Sequence, residues 1–173
     1  MTPDELRAKI REIPDFPKPG ILFYDITTLL KDAAAYRAAV DLMLAPYRDA
    51  RIDIVVGMES RGFIFSGPMA YQLGAGLVPV RKLGKLPAET ISVEYALEYG
   101  SNTLEVHRDA IASGQRVLIV DDLLATGGTV CGTVELVERL QGDIVGLSFL
   151  VELTFLKGRE RLTERQVTSV VQY

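Results

Sequence analysis

The stretch Val117-Leu118-Ile119-Val120-Asp121-Asp122-Leu123-Leu124-Ala125-Thr126-Gly127-Gly128-Thr129 carries an apolar run, two acids and a glycine-threonine turn in direct succession. Val117 to Val120 is continuously apolar, as expected of a parallel strand covered on both faces. After the turn, Val130, Val134, Val137 and Leu140 fall on one stripe of a helix. Gly127 and Gly128 let backbone approach a ligand closely, and unpaired N–H groups at the helix start face an anion. Thr126 and Thr129 add hydroxyl donors, so the turn suits a phosphate monoester with no lysine. Adjacent carboxylates repel each other and call for a counterpart. A ribose diol supplies two donors, and Mg²⁺ carried on a pyrophosphate supplies charge.

The alternation of strand and helix continues on both sides. Ile52 to Gly57 is a short β-branched run, followed by a helix beginning near Gly62. Gly76 to Arg81 is the next strand, with pairing reduced at Pro79. Ile144 to Val151 and Val167 to Val171 complete five strand candidates. A helix over 33–45 turns Tyr36, Val40, Met43 and Leu44 inward. The pattern predicts an α/β fold: a doubly wound, mainly parallel five-stranded sheet with flanking helices, its ligands at the strands' carboxyl ends.

Two regions depart from that scheme. In residues 82–104, Ile91, Val93, Tyr95 and Leu97 alternate with Ser92, Glu94, Ala96 and Glu98, and Gly100-Ser101-Asn102 offers a turn back. Period two with a turn reads as a β-ribbon flap projecting from the sheet. At the N-terminus, Thr2 and Glu5 read as a capping box with Pro3 at the first helical position, and Leu6, Ile10 and Ile13 share one helical face until Pro14. Pro14 to Gly20 then reads as an ordered, extended arm. The whole of 1–173 is expected to form one domain.

Composition narrows the function classes. A formal charge of −4 argues against an extensive nucleic-acid surface, and a hydrophobic fraction of 48% suits a packed globular chain. The apolar runs fall far short of the roughly 18 residues of a membrane span, and residues 1–5 do not begin like a secretory signal. A lone cysteine, Cys131, fits the reducing cytoplasm and a packing role. The single histidine, His107, has no ligand-type partner nearby. Neither a P-loop nor a Gly-x-Gly-x-x-Gly fingerprint is present.

Val117 to Thr129 resembles the signature with which type I phosphoribosyltransferases bind phosphoribosyl pyrophosphate (PRPP). Phe16 to Phe23, Glu59 to Phe63, Arg81-Lys82-Leu83-Gly84-Lys85-Leu86-Pro87 and Leu97 to Gly100 look like the family's adenine-using members. The resemblance implies the family's fold, with an N-terminal hood at about 1–32, and transfer of the phosphoribosyl group from PRPP to adenine, giving AMP and pyrophosphate. It implies that Asp121 and Asp122 engage the ribose hydroxyls, while Ala125, Thr126, Gly127, Gly128 and Thr129 cradle the 5′-phosphate. Glu59, Ser60 and Arg61, with a non-proline cis bond between the first two, would hold pyrophosphate together with Arg81, Lys82 and Lys85. Leu22, Phe23 and Tyr24 would hold adenine, with Arg61 on its other face, and Glu98 would exchange a proton with N7. Mg²⁺ would be held mainly by PRPP near Asp121 and Asp122, and the protein would be a cytoplasmic homodimer. Tyr24 departs from the family, many of whose members carry a basic residue there. Two alternatives remain open: an enzyme of this family for another base, and a PRPP-binding regulator. Such regulators append a DNA-binding domain, and none is expected ahead of Ile10.

Overall fold

The computed structural model describes residues 1–96 and 101–173. In chain order its strands are β1 (Arg11–Ile13), β2 (Phe23–Asp25), β3 (Ile54–Met58), β4 (Gly76–Lys82), β5 (Thr90–Ala96), β6 (Ser101–His107), β7 (Arg116–Leu124), β8 (Asp143–Glu152) and β9 (Val167–Gln172). The α-helices are α1 (Pro3–Arg7), α2 (Thr27–Leu30), α3 (Ala33–Leu44), α4 (Gly62–Leu73) and α5 (Gly128–Arg139).

The main sheet runs β5-β6-β4-β3-β7-β8-β9, and all pairs from β4 to β9 are parallel. Strand succession reverses direction between β3 and β7, which makes the carboxyl ends of these two strands the switch point where such sheets bind ligands. Along β7 the side chains alternate between two cores. Leu118 and Val120 pack with Val55, Phe65 and Met69 on one face. Val117 and Ile119 pack with Val56, Val80, Val134 and Val137 on the other. Both faces are covered, which is why β7 reads as an unbroken apolar run.

The ribbon of β5 and β6 continues the sheet instead of standing off it. β6 pairs antiparallel with β4 at Arg81–Glu105 and Lys82–Leu104. The physical reason is burial: Val93, Leu104 and Val106 sit in the same core as α5. Glu105 is buried, and its carboxylate accepts the Lys85 and Leu86 N–H groups at 3.0 and 2.9 Å. Those bonds fix the connection after β4. Pro79 lies where that second ladder has already ended, so its missing N–H costs nothing there.

The N-terminal unit differs from the expected long helix and extended arm. The capping box at Thr2 is present, but α1 stops at Arg7. Arg11–Ile13 instead pairs antiparallel with Phe23–Asp25. Ile13 precedes a proline, which disfavours the helical region, and strand pairing brings Arg11 against Asp25 at 2.5 Å. Hydrogen bonding from Arg11 pulls the Asp25 carboxyl down to about 2. The intervening proline segment is a folded turn: Phe16 N–H reaches Ile21 O at 3.1 Å and Gly20 N–H reaches Asp15 Oδ1 at 2.8 Å. The short α2 lies outside the sequence-based expectation; the expected helix over 33–45 is α3, opened by an Asp32 N-cap.

Gly146 on β8 is pressed against the Tyr47 ring: a Cβ there would lie 2.4 Å from Cε1. Tyr47 is buried and hydrogen-bonded to Leu147 O and to Thr168 Oγ1. Gly146→Ala should therefore destabilise the protein by about 1–3 kcal/mol, measured by urea unfolding. Among the described residues no helix is long and apolar enough to cross a membrane.

Candidate active site

The turn after β7 begins with a bend that only glycine adopts readily. Gly127 has φ +84° and caps α5, whose first residue is Gly128. The turn after β3, Glu59 to Arg61, leads into α4 through Arg61 in an ordinary right-handed conformation and contains a cis Glu59–Ser60 bond. The two turns come close because residue 62 has no side chain. A Cβ at Gly62 would meet Asp121 Oδ1 at 2.7 Å.

Between the turns lies a cavity of about 470 Å³. Its walls are Glu59, Ser60, Arg61 and Lys82 on one side and the run from Asp121 to Val130 on the other. Asp121, Asp122, Ala125, Thr126, Gly127, Gly128 and Thr129 are thus brought together, as are four of the six residues expected to handle pyrophosphate. Arg81 and Lys85 are not among the lining residues. Arg81 is engaged with Glu59 at 3.3 Å and donates to Lys85 O at 3.2 Å. Glu59 also accepts the Lys82 N–H at 2.9 Å, and this bond, aided by Arg81, holds its carboxyl below the usual range.

The paired acids face different neighbours. Asp122 is buried and pairs with Arg61 Nε at 2.8 Å. Burial lifts its titration above the ordinary carboxylate range, and Arg61 opposes the rise. Asp121 accepts the Asp122 N–H at 2.9 Å. Burial, then repulsion from Asp122, pushes Asp121 well up. Among the described residues no cluster of three acid, histidine or cysteine side chains could form a metal cage. Two carboxylates do suit Mg²⁺ that keeps waters and substrate oxygens as its other ligands.

A second, smaller slot of about 160 Å³ adjoins the first. Ile21, Leu22, Phe23, Tyr24 and Ile26 form one side, Val151 and Leu153 another, and Arg61, Asp122 and Leu123 belong to both cavities. The Arg61 guanidinium carbon sits 5.6 Å from the Phe23 ring centre. Tyr24 is backed by Tyr173, ring centres 3.9 Å apart, with Arg7 over the far ring at 4.3 Å. Of these, Ile26, Leu123, Val151 and Leu153 were not singled out from the sequence. Leu123 and the end of β8 were findable from the rule that ligands sit at strand carboxyl ends. Ile26 carried no such signal.

The β5–β6 ribbon reaches the start of α5 through Thr129 Oγ1, which donates to Tyr95 OH at 3.4 Å. Glu98, the expected proton-exchanging acid, lies outside the described residues. Cys131 packs against the α5-side core, and His107 Nε2 accepts the Ala88 N–H at 3.4 Å. Neither has a place in the two cavities.

Fold and cavity define a class: a doubly wound α/β protein with a glycine-threonine turn and twin carboxylates at its switch point. The family model described as the phosphoribosyl transferase domain matches residues 25–171. A curated relative from Solibacter usitatus, named adenine phosphoribosyltransferase, is 58% identical over 169 residues, covering 98% of each chain. The crystal structure of adenine phosphoribosyltransferase from Rhodothermus marinus is similar at a TM-score of 0.94 and 51% identity, covering 99% of this chain and 98% of that one. The Saccharomyces cerevisiae enzyme, solved with an imino-altritol bisphosphate and adenine, is similar at 0.91 and 40% identity, covering 97% of each chain. The chain belongs to the phosphoribosyltransferase family, among its adenine phosphoribosyltransferases, and has the type I fold.

Proposed function

We propose that this protein transfers the 5-phosphoribosyl group of PRPP to adenine, giving AMP and pyrophosphate, a purine salvage reaction. The observation that carries the reading is the junction of the two cavities. A polar cavity with an anion turn and an apolar slot share Arg61, Asp122 and Leu123. The ribose carbon that changes partners belongs at such a junction.

In this reading the Gly127–Thr129 turn and the α5 N-terminus take the 5′-phosphate, and Asp121 and Asp122 accept hydrogen bonds from the ribose hydroxyls. Ser60, Arg61 and Lys82 compensate the charge that builds on pyrophosphate as its bond to C1 breaks and takes the electron pair. Adenine enters the slot between Leu22–Tyr24 and Arg61, and its N9 forms the new bond to C1. The proton lost from N7 passes to Glu98. Mg²⁺, when bound with PRPP near Asp121 and Asp122, supplies further charge compensation for the leaving group. Glu59 contributes by holding Arg81 and the Lys82 backbone in place.

In this reading the backbone of Leu22 to Tyr24, which lines the slot, reads the donor and acceptor order of adenine. The Saccharomyces cerevisiae relative solved with adenine supports that choice of base. We also infer a homodimer, supported by exposed Tyr71, Leu77 and Leu83 on and just after α4 and β4, and a cytoplasmic location, supported by the lone Cys131. The deciding assay follows nucleoside monophosphate formation from PRPP and Mg²⁺ across adenine, hypoxanthine, xanthine, guanine, uracil and orotate. Adenine should exceed every other base by at least ~100-fold in kcat/KM. Preference for another base would reassign the slot, and no product with any base would leave the regulator alternative.

A further inference from the structure

The segment between β8 and β9 packs directly behind the phosphate turn. Glu152 closes β8, is buried, and accepts from Arg159 Nε at 2.9 Å, Arg159 Nη2 at 2.5 Å and Ser169 Oγ at 2.6 Å. Arg159 Nη1 also donates to Val167 O at 2.7 Å. One side chain is thereby tied to β8 and β9 together. The result fixes a 3₁₀ turn, Gly158–Leu162, at the end of the sheet.

That turn touches the phosphate turn backbone to backbone. A Cβ on Gly158 would lie 2.2 Å from Ala125 O and 3.0 Å from Gly127 N, and a Cβ on Gly127 would lie 2.9 Å from Gly158 O. Arg161 Nη1 adds a bond to Thr126 O at 3.3 Å. No flexible side chain lies between the two turns at Gly158 to absorb a displacement. Whatever moves Gly158 moves the backbone of Ala125 and Gly127, which line the cavity.

We propose that Gly158 and Arg161, held by the Arg159–Glu152 pair, are positioning residues that set the shape of the phosphate turn and hence the affinity for the phosphorylated sugar. The proposal rests on the reading that Ala125–Thr129 receives the 5′-phosphate. None of these residues lines the two cavities, so their influence is indirect.

The test compares wild type, Gly158→Ala and Arg161→Met in KM for PRPP, KM for adenine, kcat and thermal midpoint. Gly158→Ala should raise KM for PRPP roughly 10- to 100-fold, because displacements near 1 Å weaken positioned contacts on that scale. Arg161→Met removes one exposed hydrogen bond without a clash, and should raise it about threefold. In both, KM for adenine and kcat should stay within about twofold. For Arg161→Met the thermal midpoint should also be unchanged. Unaltered KM for PRPP in the two variants would overturn the brace while leaving the functional reading intact. Equal losses in all three kinetic parameters would also overturn it, by marking general damage. If Gly158→Ala does not fold, Arg161→Met alone decides. Wild type that fails to saturate with PRPP would refute the functional reading itself, and this proposal with it.

Discussion

Replacing both acids, Asp121→Asn with Asp122→Asn, should lower affinity for PRPP at least ~100-fold at saturating Mg²⁺. Each hydrogen bond from a ribose hydroxyl to a carboxylate contributes about 1.5–3 kcal/mol, and two such bonds exceed the roughly 2.7 kcal/mol that a hundredfold change requires. Isothermal titration reads the change directly, and undiminished affinity would remove the acids from sugar binding. Stability should move the opposite way. A carboxyl whose folded titration lies above its unfolded value adds stability below the unfolded pKa, about 3.9, and loses it as pH rises through the folded one. Asp121 is such a group, raised first by burial. The single variant Asp121→Asn should therefore melt higher than wild type at pH 7, with the gain vanishing below about pH 4. Weaker binding joined to greater stability identifies a charge kept for its ligand.

The second large effect concerns Glu98. Glu98→Ala should reduce kcat at least ~100-fold while leaving PRPP affinity within about twofold, the range lost with a general acid or base. Single-turnover measurement separates the chemical step from binding, and equal turnover in both proteins would remove Glu98 from the mechanism. The expectation rests on sequence. The alternation that runs through Ser92, Val93, Glu94 and Tyr95 is observed, with Val93 buried and Ser92 and Glu94 exposed. Glu98 continues the polar series of that pattern.

How much was legible in the chain depended on the range of the interactions. β7, α5 and the turn between them were readable because periodicity, paired acids and glycines act within a few residues. The same holds for α3, whose Asp32 cap and apolar stripe are local. Residues 11–13 misled because Ile10 and Ile13 satisfy a helical spacing, while the deciding partner, Phe23–Asp25, lies across a proline turn. The ribbon's period was legible but its docking was not, since pairing of β6 with β4 depends on contacts remote in sequence. Cavity residues were found where they belonged to a contiguous motif. Arg81 illustrates the limit: its cluster with Lys82 and Lys85 suggested a pyrophosphate contact, whereas the fold pairs it with the half-buried Glu59 carboxylate on another turn. Gly158 stood in an interval with no periodicity, and only the fold reveals what it abuts.

Arg61, Asp122 and Leu123 form a party wall between two compartments. An occupant that shifts such a wall changes a surface the other must meet. Thermodynamic linkage then demands symmetry: whatever factor the sugar imposes on the dissociation constant of the base, the base imposes on that of the sugar. Both partners of the 2.8 Å Arg61–Asp122 contact belong to that wall.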